Sequence, residues 1–338
     1  MRALRTLALI GALLCFGVVV LGAYVRLSTA GLGCPDWPGC YGHLSPIGAQ
    51  HADTGVNVGK AWREMVHRYA ASSLVVIIVL IAAISLRGRR ASGGRPAHLT
   101  RGYGLALLAI VVLQAILGAL TVTLQLTPLI VTLHLLFGLT TLTLLWWLWF
   151  TVNPARVMRP PPGASTAAGE LRTLVAIALA VLVLQIALGG WTSSNYAALA
   201  CPDLPKCQGA WWPESDYRDA FVLWRPLAIN YEGGVLDNPA RVAIHLTHRI
   251  GAVVTTCVLL FVVIATLSRK TLAALRPYAV FVLAALVVQL TIGIVMVLKT
   301  FPLPVAVMHN AGAALLLLSL VALYRKVCDI AVPRARAL

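Results

Sequence analysis

Eight long apolar stretches limit what this chain can fold into. Each is long enough to cross about 30 Å of hydrocarbon as an α-helix rising roughly 1.5 Å per residue. A bilayer core offers no partners to free backbone N–H and C=O groups, so we expect helices there. Hydrophobic residues make up 59% of the 338 residues, which indicates an all-α polytopic membrane protein. We place the spans near residues 5–25, 64–86, 103–124, 129–151, 171–193, 241–267, 275–298 and 304–324.

The chain has a net charge of +16, and most of its basic residues lie on one side of these spans. Arginine and lysine gather at the N-terminus, in the segments after spans two, four and six, and at the C-terminus, whereas most acids lie in the other segments. The positive-inside rule places both termini in the cytoplasm. The basic excess is therefore a topology signal, not a sign of nucleic-acid binding. No transit sequence precedes the first span, which favours a bacterial inner membrane over an organelle.

The chain consists of two copies of one four-span unit. The matching landmarks are QAILG (Gln114–Gly118) and QLTIG (Gln289–Gly293), His67-Arg68 and His248-Arg249, and CPDWPGC and CPDLPKC. His134 and His309 each follow the glutamine of their landmark by 20 positions. The repeat predicts two pseudo-symmetric four-helix bundles, at 1–155 and 171–338, joined by a cytoplasmic linker at 156–170.

One histidine lies near the outer end of each even-numbered span: His67, His134, His248 and His309. A ligating group inside a bilayer is costly and by default marks a functional site. Two facing imidazoles can bind a haem iron axially, and a bundle core suits the apolar macrocycle. Zinc normally takes three or four ligands, and a neutral histidine bonded to a neighbouring helix is the structural alternative. Recurrence in both halves favours two metal or haem sites.

Glu64 breaks the symmetry of the repeat. It precedes His67 by three positions on the same helix face, about 4.5 Å nearer the outer surface, where the second half has His245. A carboxylate beside a bound substrate can act as base, nucleophile or stabiliser of positive charge. The alternative is an i, i+4 ion pair with Arg68. Arg68 and Arg249 are candidate partners for haem propionates, with snorkelling to the interface as the alternative.

Two cysteine pairs fall in outer loops, where the compartment is oxidising. They are Cys34/Cys40 and Cys201/Cys207. A thioredoxin-like pair has two intervening residues and a zinc knuckle has more ligands, so we predict two disulfides. The longer outer loop at 208–240 carries tryptophans that we expect at the headgroup level.

With these residues in place, the chain resembles the haem A synthase family over almost its whole length. The resemblance lies in the eight spans, the four histidines, the Glu-x-x-His-Arg that starts at Glu64, and the two cysteine loops. It implies an oxidoreductase that converts the C8 methyl group of haem O to the formyl group of haem A, with oxygen from water.

The same resemblance implies a role for each residue. His67 and His134 would hold the iron of haem O or haem A, with Glu64 as the essential acid. His248 and His309 would ligate a haem B cofactor. We further hypothesise that electrons leave through that haem. No sequence feature identifies the electron acceptor. Haem O synthase and cytochrome oxidase assembly factors are candidate partners.

Two other functions use the same histidines without needing Glu64. One is a di-haem electron-transfer protein of the cytochrome b type, and the other is an assembly factor that carries haem without changing it. Only a synthase converts haem O to haem A.

Overall fold

The computed structural model describes residues 2–47, 57–87, 97–153, 161–227 and 229–331. Within these ranges, eight helices are long and apolar enough to cross a membrane, so the predicted all-α multi-pass fold is confirmed. They are α1 (Arg2–Leu27), α2 (Val58–Arg87), α3 (Ala97–Thr123), α4 (Pro128–Val152), α5 (Ala164–Ser194), α7 (Asn238–Ser268), α8 (Arg276–Leu298) and α9 (Leu303–Ala331). A short α6 (Tyr217–Ala220) lies between α5 and α7, and a 3-10 turn precedes α8. The first part of the predicted linker, 156–160, lies outside the described residues.

Several helices extend beyond the predicted spans. α2 begins at Val58 instead of 64, α5 begins at Ala164 instead of 171, and α9 ends at Ala331 instead of 324. Hydropathy detects only the apolar part of a helix, whereas polar side chains determine where the helix begins. At α2, Asn57 Oδ1 accepts the Lys60 N–H at 3.1 Å and so caps the helix six residues before the apolar stretch.

The first four helices pack as a ring. α1 and α3 each contact both α2 and α4, so α2 and α4 lie diagonally across the bundle. The second set repeats this arrangement, because α5 and α8 each contact both α7 and α9. The four histidines are on these diagonal helices, so each pair approaches from opposite sides of its own bundle.

Buried apolar side chains fill the bundles at the end opposite the histidines. The largest buried cluster includes Ile81 of α2, Leu148 of α4, Leu171 of α5, Leu259 of α7 and Leu323 of α9. It runs through both bundles without interruption. Each bundle is therefore packed solid at one end and carries its imidazoles toward the other.

The two bundles meet along one interface. α1 and α4 contact α9, and α4 also contacts α5. Near the outer end, Arg26 Nη2 of α1 donates to Ser193 O in the last turn of α5 at 3.0 Å. Toward the inner end, Trp146 Nε1 of α4 donates to Leu318 O of α9 at 3.2 Å. α2 contacts the second half at its outer end, where Lys60 pairs with Glu232 at 3.6 Å.

Candidate functional site

The structure brings the first pair of predicted histidines together. His67 lies nine residues after the first residue of α2 and His134 six residues after the first residue of α4. These positions are about 14 and about 9 Å along their helices. The two imidazoles are close enough to interact electrostatically.

The second pair repeats this arrangement. His248 lies ten residues into α7 and His309 six residues into α9, at similar distances from the helix starts. These two imidazoles also interact electrostatically. Each bundle therefore contains two neighbouring imidazoles, and their action as ligands stays a prediction.

Each imidazole lies against a glycine of a neighbouring helix. A methyl group at Gly22 of α1 would lie 2.9 Å from Cε1 of His67, and one at Gly189 of α5 would lie 3.1 Å from Cε1 of His248. Gly118 and Gly293 lie in the same way against His134 and His309, at 3.4 and 3.2 Å. Because these positions lack a side chain, the rings rest on helix backbone.

Two glutamines contact the histidines of the second bundle, and neither was predicted as a site residue. Gln185 Nε2 donates to the His248 backbone oxygen at 2.9 Å and lies 3.0 Å from Nδ1. Gln289 Nε2 lies 3.3 Å from both ring nitrogens of His309. The sequence contained a signal, since QIALG at 185–189 repeats the spacing of the QAILG and QLTIG landmarks.

The first bundle lacks these contacts. The buried Nδ1 atoms of His67 and His134 have no hydrogen-bond partner among the described residues. Gln114, which occupies the matching place on α3, packs toward Gly138 of α4. The two histidine pairs are therefore alike in placement and different in hydrogen bonding.

Glu64 is 4% exposed and is held from two sides. Its Oε2 accepts the Cys34 N–H at 2.9 Å, and its Oε1 pairs with Arg68. The i, i+4 ion pair considered from the sequence is therefore present. Arg68 also donates to Asp36 O at 2.9 Å and to Gly39 O. One guanidinium thus joins the carboxylate to the Cys34–Cys40 loop.

His245 occupies the place of Glu64 in the second bundle. It is buried, and its Nδ1 donates to Ala197 O at 3.1 Å, which leaves Nε2 as an acceptor. Arg249 donates to Cys201 O at 2.8 Å and to Lys206 O at 2.9 Å. Both arginines therefore hold loop carbonyls, and their contact with propionates stays a prediction.

The two predicted disulfides are confirmed: Cys34–Cys40 and Cys201–Cys207. In the second loop, Asp203 accepts the Gly209 N–H at 2.9 Å and the Gln208 N–H at 2.7 Å. These two backbone donors lower the pKa of the Asp203 carboxyl. Asp36 makes the same kind of bonds in the first loop, so the repeat extends into the loop geometry.

The donor set fits an iron porphyrin better than a zinc ion. In the described part of the chain, no three His, Cys, Asp or Glu side chains come together to hold a metal ion, whereas zinc takes three or four ligands. Paired imidazoles across a bundle are the axial ligands that haem iron uses. His67 with His134, and His248 with His309, would hold such a group between the diagonal helices of each bundle.

Comparison with known proteins gives matches along most of the chain. The COX15-CtaA family model, described as "Cytochrome oxidase assembly protein", matches residues 5–321. A "Heme A synthase" of Shewanella oneidensis is 40% identical over 313 residues, which cover 90% of each chain. A "Heme A synthase" of Chelativorans sp. is 27% identical over 324 residues, covering 89% of this chain and 84% of the relative. One of Shouchella clausii is 28% identical over 301 residues, covering 86% and 84%.

Proposed function

Since this chain belongs to the haem A synthase family, we propose that it oxidises the C8 methyl group of haem O to the formyl group of haem A. The protein is accordingly a multi-pass membrane oxidoreductase. One observation carries the finer assignment. A buried, doubly held carboxylate, Glu64, lies one turn from a ligating histidine in the first bundle, and the matching place in the second bundle is His245.

We assign different roles to the two halves, 1–155 and 171–338. His67 and His134 hold the iron of the substrate in the first half. His248 and His309 hold haem B in the second half, where it supplies one-electron redox chemistry when bound. Among the described residues, glutamine amides contact the second pair of imidazoles and none contacts the first, which supports a resident group in the second half and an exchanging one in the first.

Glu64 stabilises the positive charge that develops on the substrate during the oxidation. The conversion consumes one methyl group and one water molecule and yields one formyl group, four protons and four electrons. Removing electrons from the methyl carbon builds positive charge, which a nearby carboxylate stabilises. Cys34 and Arg68 each donate to this carboxylate. Their donors also fix its position before the reaction starts.

The decisive test is the product formed in cells that make haem O and lack haem A. We expect Glu64→Gln to abolish haem A while haem B stays bound. Glu170→Gln removes an exposed carboxylate far from the site and serves as the matched control. Extracted haems would be separated by chromatography and identified by mass. Normal haem A from the Glu64→Gln protein would remove Glu64 from the mechanism.

The two histidine pairs are placed alike, and this similarity favours a second candidate function, that of a di-haem electron-transfer protein. That function needs all four imidazoles and no conversion of substrate. Haem O and haem B without haem A in the intact wild-type protein, under aerobic conditions, would establish it instead.

We propose that the protein lies in the bacterial inner membrane with both termini in the cytoplasm. The disulfide loops lie at the histidine end of the bundles, and disulfides persist on the oxidising side of that membrane. The histidine pairs then lie toward the periplasmic end. Haem O synthase and oxidase assembly factors remain the expected partners, since they supply the substrate and use the product.

A further inference from the structure

An apolar groove opens between α2 and α3 of the first bundle. It encloses about 440 Å³ and is lined only by aliphatic side chains and by Trp37 of the disulfide loop. Its α3 wall runs from Leu108 to Leu120, about 18 Å along the helix. Val112 and Ile116 on its rim are 53% and 52% exposed, so one side opens to the lipid-facing surface. We call this cavity the α2–α3 groove.

The groove lies beside the helix turn and the loop that form the site of Glu64. Ala119 in its wall directly follows Gly118, the residue on which the His134 imidazole rests. At its outer end, Trp37 belongs to the loop whose Cys34 N–H binds Glu64. The groove therefore starts at the depth of the histidine pair and extends inward.

The arrangement of the helices lets a chain attached to the bound substrate pass through the α2–α3 groove into the lipid. A flat group held between α2 and α4 has its edges toward α1 and α3. α1 and α4 pack against helices of the second bundle, whereas α2 contacts the second half at its outer end, through the ion pair between Lys60 and Glu232. A chain attached to the edge near α3 therefore reaches lipid through the seam that the α2–α3 groove occupies.

We propose that the α2–α3 groove binds the farnesyl tail of the substrate, and this inference rests on the function proposed above. Lipid tails are as apolar as the groove, so its contribution is packing and orientation, not a hydrophobic driving force. Two axial imidazoles leave a porphyrin free to rotate about the iron–nitrogen axis. A tail fixed in the groove stops that rotation and keeps one methyl group facing Glu64.

The first experiment measures bound haem in the full-length protein purified from cells that make haem O. Ala115→Phe places an aromatic ring in the groove, and we expect the bound ratio of haem O to haem B to fall about tenfold. Cys257→Phe is the matched control, because it fills an apolar cavity of about 290 Å³ between α5 and α7. The control is expected to keep the wild-type ratio.

An unchanged haem O content in Ala115→Phe would overturn the proposal. Haem B content reports that the variant has folded. Because the readout is bound haem, a wild-type protein that binds haem O and makes no haem A contradicts the proposed function and leaves the groove assignment standing.

A second experiment uses the unmodified chain and separates a farnesyl tail from an ordinary lipid. Diazirine-labelled farnesol is expected to label α3 between Leu108 and Leu120, and excess haem O is expected to suppress that labelling. Labelling by diazirine-labelled phosphatidylcholine that haem O leaves unchanged would assign the groove to bilayer lipid and overturn the proposal.

Discussion

At the scale of single residues, the two bundles differ at Nδ1 of their histidines. In the second bundle a glutamine amide lies beside each imidazole. In the first bundle both Nδ1 atoms lack a partner among the described residues. These contacts fix the orientation of the two rings, and a glutamine amide turned by 180° presents Oε1 as the acceptor that the second N–H of a ligating histidine needs. The second pair is therefore suited to retention and the first to exchange.

We predict that Gln185→Leu weakens haem B binding about 10- to 100-fold, as loss of an outer-shell partner does at other metal sites. Haem retained after dilution and the midpoint potential of the bound haem would both be measured. Gln114→Leu is the matched control, since its amide lies in the first bundle, away from His248. Wild-type haem B retention in Gln185→Leu would contradict the role given to this amide.

A second prediction concerns the glycine under His67. In Gly22→Ala the new methyl group would lie 2.9 Å from the ring, so the imidazole must shift. We expect less bound haem O and an altered absorption spectrum. Gly17→Ala on the same helix meets no atom within 4 Å and should bind haem O normally. Equal haem O content in the two variants would show that the ring tolerates the displacement.

At the scale of elements, each disulfide loop is attached to the helix that carries the first histidine of its pair, His67 or His248. In the first bundle, α2 holds its loop through Glu64 and Arg68. In the second, α7 holds its loop through Arg249. The loop, the carboxylate and the helix therefore form one unit in the first bundle, and movement of the loop displaces Glu64.

This coupling predicts different effects for the same substitution in the two halves. Arg68→Lys removes the planar set of donors that reaches Glu64 and three loop carbonyls at once, which lysine does not reproduce. We expect haem A formation to fall about tenfold or more with haem B still bound. Arg249→Lys should instead reduce bound haem B. Haems extracted from the two variants would be identified and measured. A loss of haem B in Arg68→Lys would contradict the assignment of Arg68 to the substrate half and Arg249 to the haem B half.

At the scale of the whole molecule, the bundles are joined near both ends of one interface. Arg26 of α1 donates to Ser193 O of α5 and lies 4.2 Å from the centre of the Tyr196 ring. A cation at a helix C-terminus satisfies carbonyls that have no partner within the helix. Trp146 makes the corresponding link toward the inner end.

We predict that Arg26→Met destabilises the joined bundles by about 1–3 kcal/mol, because a buried carbonyl loses its charged donor. Thermal unfolding followed by haem release would measure the change. Arg5→Met, at an exposed position of the same helix, is the control and should match the wild type. A variant as stable as the control would mean that the apolar contacts alone hold the bundles together.

Sequence was sufficient for the features that depend on local chemistry. Hydropathy located the eight spans, and compartment and spacing predicted both disulfides. Helix ends such as Val58 were missed, because a polar cap at Asn57 determines them. The loop contacts of Arg68 and Arg249 were also missed, since they join residues about 30 to 50 positions apart through folding. Gln185 was within reach, because its spacing to Gly189 repeats a recognised landmark.

The bond between Arg26 and Ser193 also bears on the order in which the chain is made. Its two residues are 167 positions apart, so at about 5–20 residues per second a ribosome needs roughly ten to thirty seconds between them. The first bundle ends at Val152, so all four of its helices have been synthesised before Ser193 is added. When the last turn of α5 has been synthesised, the Arg26 guanidinium can donate to its Ser193 carbonyl. We therefore expect the amino-terminal half to fold first and the carboxy-terminal half to pack against it.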